Sequence, residues 1–285
     1  MASLKKIKND LETISKIFLI ASIYQEIAHL RMVEIRQAVL KIREFLDGLN
    51  RVYHLAKRSF FASLEKKSEG IPYILQKQGE VAVFLSANEF FYGTLILDIW
   101  QEIQEYLKEK EAALMVVGKM GKYLVEASGL RLKIFYFELD DEKPEREKIK
   151  EIVEFVKNYK KIVVFHGKFE TVLSQNAVMT DISGGITLEE KIGEVKNYLF
   201  EPSPETVLEF FETEIVFALF NQTILEHRLA RYAARMMAMY QATENAKKIK
   251  KEVEKNKKKL EQQISDKKQI EIFSGFKLWS QKMEI

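Results

Sequence analysis

LEHRLARYAARMMAMYQATENAKKIKKEV, residues 225–253, is the stretch on which the fold turns. In it and just beyond it, apolar side chains recur at Leu225, Leu229, Tyr232, Met236, Met239, Ala242, Ala246, Ile249, Val253, Leu260 and Ile264. Steps of three and four residues draw a seam down one face of a helix. Nothing breaks it: no proline follows Pro204, and the only glycine after it is Gly275. A helix of about 65 residues rises roughly 95 Å, well past the diameter of a small domain. It cannot bury that seam against a compact core of its own and needs an equally long partner.

The start of the chain supplies one. From Leu4 to Ala56, one face reads Leu4, Ile7, Leu11, Ile14, Phe18, Ala21, Gln25, Ala28, Met32, Ile35, Val39, Ile42, Leu46, Leu49, Tyr53 and Ala56, with only Gln25 polar. A seven-residue apolar period held this long imposes a left-handed supercoil. The expected pair is therefore an antiparallel coiled coil of an N-terminal helix, 1–58, and a C-terminal one, 204–285. Ile17, Leu19, Ile20, Ile23, Tyr24, Ile27 and Leu30 lie off the seam. A helix apolar all round must be enclosed all round, so this stretch is expected inside a sleeve of other chains. A three-helix contact within the monomer is the alternative.

Between the helices the period changes. Ser59–Ile71 reads as a linker, punctuated by Lys66–Pro72. Strands follow at Val81–Leu85, Leu114–Val117, Leu132–Leu139 and Ile162–His166, separated by helical stretches. That alternation predicts a Rossmann-like α/β insert over 59–203 with a largely parallel sheet. Phe169–Ile182 is more extended and fits an added hairpin or edge.

Composition narrows the chemistry. The 285 residues carry 45 basic and 42 acidic side chains, so net charge points to no partner, and no cysteine is present. Thiolate catalysis and cysteine metal sites are excluded. The apolar run Ile17–Tyr24 is far short of the ~20 residues of a membrane span. Gly118-Lys119-Met120-Gly121-Lys122 lacks the first glycine and the Ser or Thr of a phosphate loop and reads as a turn opening a helix. Asp140, Asp141 and Glu142 precede Pro144, where carboxylates cap a helix. His29, His54, His166 and His227 are remote from one another and lack metal-ligand spacing. Lys247–Lys259 holds eight lysines against two glutamates, by default a solvated face.

These residues resemble the gamma subunit of F-type ATP synthases. Ala233-Ala234-Arg235-Met236-Met237-Ala238-Met239 with Ala242-Thr243-Glu244-Asn245-Ala246 is similar to that family's AARM-x-AM…AT-[DE]-NA signature, and Glu271-Ile272-Phe273-Ser274-Gly275 to its closing EI-[VT]-SG. Met1–Lys8, Met32, Lys168-Phe169…Gln175 and Tyr198–Pro204 also align. Three stretches depart. The family's DRGLCGG-x-N loop is here Asn88–Ile96, its ITKAM-x-M stretch is Ile17–Tyr24, and its acidic SE pair is Ala230-Arg231.

The resemblance implies a divergent central-stalk rotor without catalytic residues, cofactor or metal of its own, nucleotide and magnesium being held by partner subunits. It implies alpha and beta subunits of a catalytic head, an epsilon subunit and a ring of c subunits as partners. Neither nucleic acid nor a small-molecule substrate is expected. The implied location is peripheral, on the cytoplasmic face of a bacterial plasma membrane. The seam is assigned to Ile7, Leu11, Ile14, Phe18, Met32, Ile35, Leu229, Met236, Met239, Ile249 and Val253. Head contacts are assigned to Ile20, Ile23, Tyr24, Arg235, Met237, Lys250, Lys251, Lys255, Lys258, Glu271, Ser274 and Gly275, and contacts of the α/β foot to Asn88, Glu89, Gly93, Lys168 and Gln175. The lysine collar would meet acidic segments of the head, attracting without locking. Two other classes remain open on the sequence: a nucleic-acid binder with a basic helical arm, and a nucleotide-binding α/β enzyme with a helical dimerisation arm. The choice between H⁺ and Na⁺ belongs to the ring and is not written in this chain.

Overall fold

The computed structural model describes residues 4–64, 78–130, 132–183 and 204–283. The elements in order are α1 (Leu4–Leu64), β1 (Gln78–Leu85), α2 (Leu95–Glu109), β2 (Ala113–Val117), α3 (Lys119–Ser128), β3 (Ile134–Phe137), α4 (Arg146–Val156), β4 (Tyr159–Phe169), β5 (Gln175–Asp181) and α5 (Pro204–Met283). The chain divides into two compact units, one formed by 1–27 with 236–285 and the other by 28–235. Both long helices contribute to each.

In the larger unit a five-stranded sheet has the order β3-β2-β1-β4-β5. The first four strands are parallel and β5 returns antiparallel along β4 at the edge. Strands buried on both faces carry continuous apolar runs instead of an alternation, and VAVFL of β1 does so. Val81, Val83 and Leu85 point into one layer, with Ile149, Ile152, Val153 and Val156 of α4. Ala82 and Phe84 point into the other, with Leu95, Ile99, Trp100 and Ile103 of α2.

Helix α5 serves both layers. Val216, Phe220 and Ile224 belong to the α4 side, whereas Ala230 and Ala234 belong to the α2 side. Between these two groups the helix crosses the carboxyl ends of the parallel strands. Small residues permit the crossing: a Cβ on Gly167 of β4 would stand 3.1 Å from the Cβ of Ala230.

In the smaller unit Ile7 and Ala21 of α1 and Met239, Thr243 and Ala246 of α5 are buried. Lys247 Nζ lies over the Phe18 ring, 5.9 Å from its centroid. In the larger unit Tyr232 acts electrostatically on Arg31. Numbers rise along one helix as they fall along the other, so α1 and α5 pair antiparallel.

The structure corrects several expectations. Helix α1 runs through Leu64 instead of ending in a linker at Ser59, because Ser59–Leu64 contains neither glycine nor proline. The remainder of that linker, and Tyr198–Ser203, lie outside the described residues. Helix α4 starts at Arg146, not Pro144, since its cap residue Glu145 is extended (φ −70°, ψ 131°). Ile249 is 50% exposed and off the buried face. From Ala246 the seven-residue step leads to half-buried Val253, and Ile249 falls about a sixth of a turn aside.

Gly121 in the first turn of α3 tests the tightness of the sheet's upper edge. A Cβ there would stand 2.6 Å from Ser86 Oγ and 2.8 Å from Val116 Cγ1. Helix propensity favours Ala over Gly by about 1 kcal/mol. Overpacking nonetheless wins, and Gly121→Ala should lower the unfolding free energy by about 1–2 kcal/mol in urea titration. A stabilised variant would contradict this packing.

Candidate functional site

The parallel strands end in backbone groups that need partners, and α5 crosses them with a polar row: His227, Arg228, Arg231 and Arg235. At one turn per 3.6 residues, steps of four keep His227, Arg231 and Arg235 on the sheet-facing side, with Arg228 about a quarter of a turn from His227. His227 is the first contact. The Gly167 N–H donates to its Nδ1 at 3.0 Å, and its Nε2–H donates to the Ser86 carbonyl at 3.0 Å. One neutral imidazole thereby joins α5 to β1 and β4. Complete burial, followed by the nearby Arg231 charge, holds its pKa well below the ordinary 6.5. His166 on β4 uses the opposite tautomer. Its Nδ1–H donates to the Gly167 carbonyl and its Nε2 accepts from Thr180 Oγ1, and burial lowers its pKa too. Two of the four histidines read as remote, His166 and His227, thus meet at Gly167, through a pairing of strand and helix that sequence separation hides.

Arg231 is the second contact. Its Nη1 donates to Asp141 Oδ1 at 2.5 Å, with both side chains almost completely buried. The other oxygen, Oδ2, accepts from the backbone N–H of Asn88 at 2.8 Å and Glu89 at 3.0 Å. Asp141 therefore does not cap a helix. Its neighbours divide the remaining work: Asp140 Oδ1 accepts from the N–H groups of Glu142 and Lys143, and Glu142 pairs with Arg31 of α1 at 3.2 Å. Arg228 donates to the Glu142 carbonyl.

Arg235 closes the row. Its Nη2 donates to Glu89 Oε2 at 2.6 Å and to the Phe90 carbonyl at 3.1 Å. Its guanidinium lies 4.3 Å from the ring centroid of buried Tyr92, and that of Arg231 lies 5.3 Å from it. Burial raises the Tyr92 phenol well above its ordinary value, so the ring stays neutral between the two cations. The loop so anchored turns Phe90 and Phe91 outward, 65% and 58% exposed, with Phe91 at a left-handed φ of 73°.

This geometry leaves little room for a ligand. In an open α/β sheet, ligands bind in the crevice beyond the carboxyl ends of the strands. Here His227, Arg228 and Arg231 line what remains, a cavity of about 20 Å³, the size of one water. The amide groups of a phosphate loop are also taken: Lys119 N–H donates to Asn88 Oδ1, Met120 N–H to the Ala87 carbonyl and Gly121 N–H to Ser86 Oγ. Among the described residues no cluster of three or more His, Asp or Glu is arranged to hold a metal.

The assigned contact residues separate into two groups. Ile20, Ile23, Tyr24, Lys250, Lys251, Lys255, Lys258, Glu271, Ser274 and Gly275 are exposed, and Met237 is half-buried. Ile17, Leu19 and Ile27 share that exposure at 50%, 58% and 40%. No described segment covers this face, so the three-helix alternative is not realised among the described residues. Arg235, assigned to a head contact, is instead 3% exposed and engaged inside the sheet unit. On the sheet, Gly93 and Lys168 are exposed. Asn88 is committed internally through its amide to the Leu139 carbonyl, and Gln175 to the Thr171 and Val172 carbonyls. The sequence reading missed the Asp141–Arg231 pair. Its one outward sign is a cation where the family pattern carries an acid.

A mostly parallel α/β sheet carried between two long antiparallel helices is the architecture of a rotary central stalk. The chain belongs to the ATP synthase family, whose model matches residues 3–277. It is 25% identical to the ATP synthase gamma chain of Haemophilus ducreyi over 86% of this chain and 88% of that one. With the gamma chain of Polynucleobacter necessarius it shares 24% identity over 96% and 99%. The fold matches the rotor of the Euglena gracilis mitochondrial ATP synthase, with a TM-score of 0.59, 17% identity, and 92% and 98% of the two chains covered. It also matches the central stalk and c-ring structure from Tetrahymena thermophila, with a TM-score of 0.60, 14% identity, and 79% and 99% covered. As a gamma-class central-stalk subunit it is a non-catalytic, peripheral component of a membrane complex. No described helix is long and apolar enough to cross a membrane.

The buried histidines set a pH dependence. A histidine whose folded pKa is depressed stabilises the fold fully above its unfolded value of 6.5, and that contribution is lost as pH falls below it. The slope is at most about 1.4 kcal/mol per pH unit for each such group. Denaturant titrations at pH 7.5 and 5.5 should show this loss. His227→Gln, which can accept from Gly167 and donate to Ser86 without titrating, should flatten the slope. An equal slope in both proteins would contradict the role of His227.

Proposed function

We propose that this chain turns inside the catalytic head of an F-type ATP synthase and couples that rotation to ion flow through a membrane ring of c subunits. The observation carrying the proposal is the uncovered apolar face of α1. Ile17, Leu19, Ile20, Ile23 and Ile27 are all 40% exposed or more, on a helix whose other face is already paired. Monomeric proteins rarely leave so continuous an apolar surface to water, and one this long marks a protein interface.

In this reading alpha and beta subunits form the enclosing sleeve, and the sheet unit receives epsilon and the ring. The chain holds no nucleotide or metal; those belong to the head subunits. Its action is mechanical. A rotor without threefold symmetry presents a different face to each of three catalytic sites, and it biases a site only through contacts that differ between that site's states. A stiff rod is required for this, which two proline-free paired helices supply. The exposed lysines of α5, among them Lys250, Lys251, Lys255 and Lys258, attract acidic surfaces through screened forces that permit sliding. The location that follows is the cytoplasmic face of the membrane that holds the ring. A nucleic-acid binder is disfavoured because no aromatic side chain accompanies the lysines over 247–259.

Two experiments test this. With a tag on this chain, purification should bring down alpha- and beta-type subunits in one particle, and isolation of the chain alone would oppose the proposal. Ile20→Glu combined with Ile23→Glu changes only exposed positions, so stability should move by no more than about 0.5 kcal/mol per site. Incorporation into that particle should nevertheless collapse. Undiminished incorporation would remove α1 from the interface.

A further inference from the structure

We infer that the buried Asp141–Arg231 pair, with Arg235 and Glu89 beside it, is the joint that transmits torque between the sheet unit and helix α5. The inference rests on the rotor function proposed above.

A joint under load needs contacts that resist rotation. Helix α5 is continuous from Pro204 to Met283, and torque entering the sheet must pass into it through side-chain contacts. Apolar contacts are non-directional and resist sliding poorly. Hydrogen bonds weaken steeply when their angles are disturbed, so a tether made of them opposes rotation as well as separation. Along the sheet-facing side of α5 such tethers fall within three turns, at His227, Arg228, Arg231 and Arg235.

Asp141 is the most fully engaged of their partners. It receives Arg231 on one oxygen and two backbone N–H groups on the other, and Arg231 Nη2 also reaches the Asp141 carbonyl at 3.4 Å. One carboxylate therefore ties α5, the segment after β3 and the loop after β1 together. Arg235 grips the same loop one residue on, at Glu89 and Phe90. Among the described residues the ion pair that α1 makes in this region, Arg31–Glu142, joins side chains 36% and 42% exposed, and an exposed pair of that kind contributes little. The load therefore falls on α5.

A second observation points the same way. Two of the stretches in which this chain departs from the gamma pattern, Asn88–Ile96 and Ala230-Arg231, meet at this joint. The family's loop carries a basic residue second and its helix an acidic pair. Here Glu89 and Arg231 stand in the corresponding places, with the signs exchanged. Glu89 pairs with Arg235 and Arg231 with Asp141, so both departures lie on the same joint. Asp141, Arg231, Arg235 and Glu89 are positioning residues: they act by holding α5 and touch no nucleotide.

The test is made in the assembled complex, in sealed membrane vesicles, with ATP hydrolysis and ATP-driven ion uptake measured side by side. Asp141→Asn keeps a side chain able to accept the backbone N–H groups but removes the charge facing Arg231. The expected result is hydrolysis near the wild-type rate with uptake per ATP reduced several-fold. Arg231→Met should do the same, and the double variant should be no worse than either single one, because the two residues act as a unit. Glu89→Gln, at a side chain 51% exposed, keeps an acceptor for Arg235, should leave folding intact and should lower the ratio to a smaller degree. It decides the matter if the buried variants fail to assemble. A ratio equal to wild type in the variants that assemble, Glu89→Gln included, overturns the joint. The wild-type chain in the same preparation separates the two proposals. If it joins no head or couples nothing, the rotor reading fails; if it couples and the variants couple as well, only the joint fails.

Discussion

Everything in the larger unit depends on one crossing. A parallel sheet leaves the polar ends of its strands facing outward, and α5 lies across them with a row of buried polar side chains. A buried peptide group without a partner costs on the order of 1–3 kcal/mol. The crossing is tolerable because most of its polar groups are matched: an imidazole accepts from one strand and donates to another, and a carboxylate takes a guanidinium on one side and two amides on the other. The Nε of Arg228 and of Arg231 stays buried without a hydrogen bond among the described residues. Small residues bring the backbones close enough for this to happen. Ala230 on the helix and Gly167 on β4 are as much part of the arrangement as the charges.

A buried ion pair is a poor source of stability, because desolvating both charges consumes most of the attraction. The apolar layers on either side of the sheet supply the cohesion. What the pair adds is register. An apolar helix laid on an apolar surface has several nearly equivalent positions one step apart. Moving Arg231 by one residue would strand it and Asp141 together, at a cost of several kcal/mol. If the subunit passes torque from sheet to helix, as proposed, a unique register matters more than a slightly deeper energy minimum.

Much of this was legible in the sequence, and the limits follow a pattern. The long helices declared themselves through apolar periodicity, and the strands through continuous apolar runs between helical stretches, because burial on a repeating geometry leaves a local trace. The antiparallel return strand was visible for the same reason. The crossing left almost none. Asp141 lies in an acidic turn that looks like a helix cap, His227 and Arg231 sit in a helix that reads as a coiled-coil strand, and their partners are over a hundred or ninety residues away or on another strand. Arg235 was read as part of an outward signature for the same reason. Ile249 shows the opposite failure: a local pattern satisfied by two phases of the helix, of which packing chose the other.

The role as a central-stalk subunit gives the crossing its purpose, since a rotor is useful only if its helix and its sheet turn as one body. Hydrogen exchange followed by mass spectrometry tests that claim most directly. If α5 is clamped as described, the amides of residues 227–235 should exchange as slowly as those of β1 and β4 and be released together with them as denaturant is added. Faster, independent exchange of that helical segment, while the strands remain protected, would mean that the helix merely rests on the sheet.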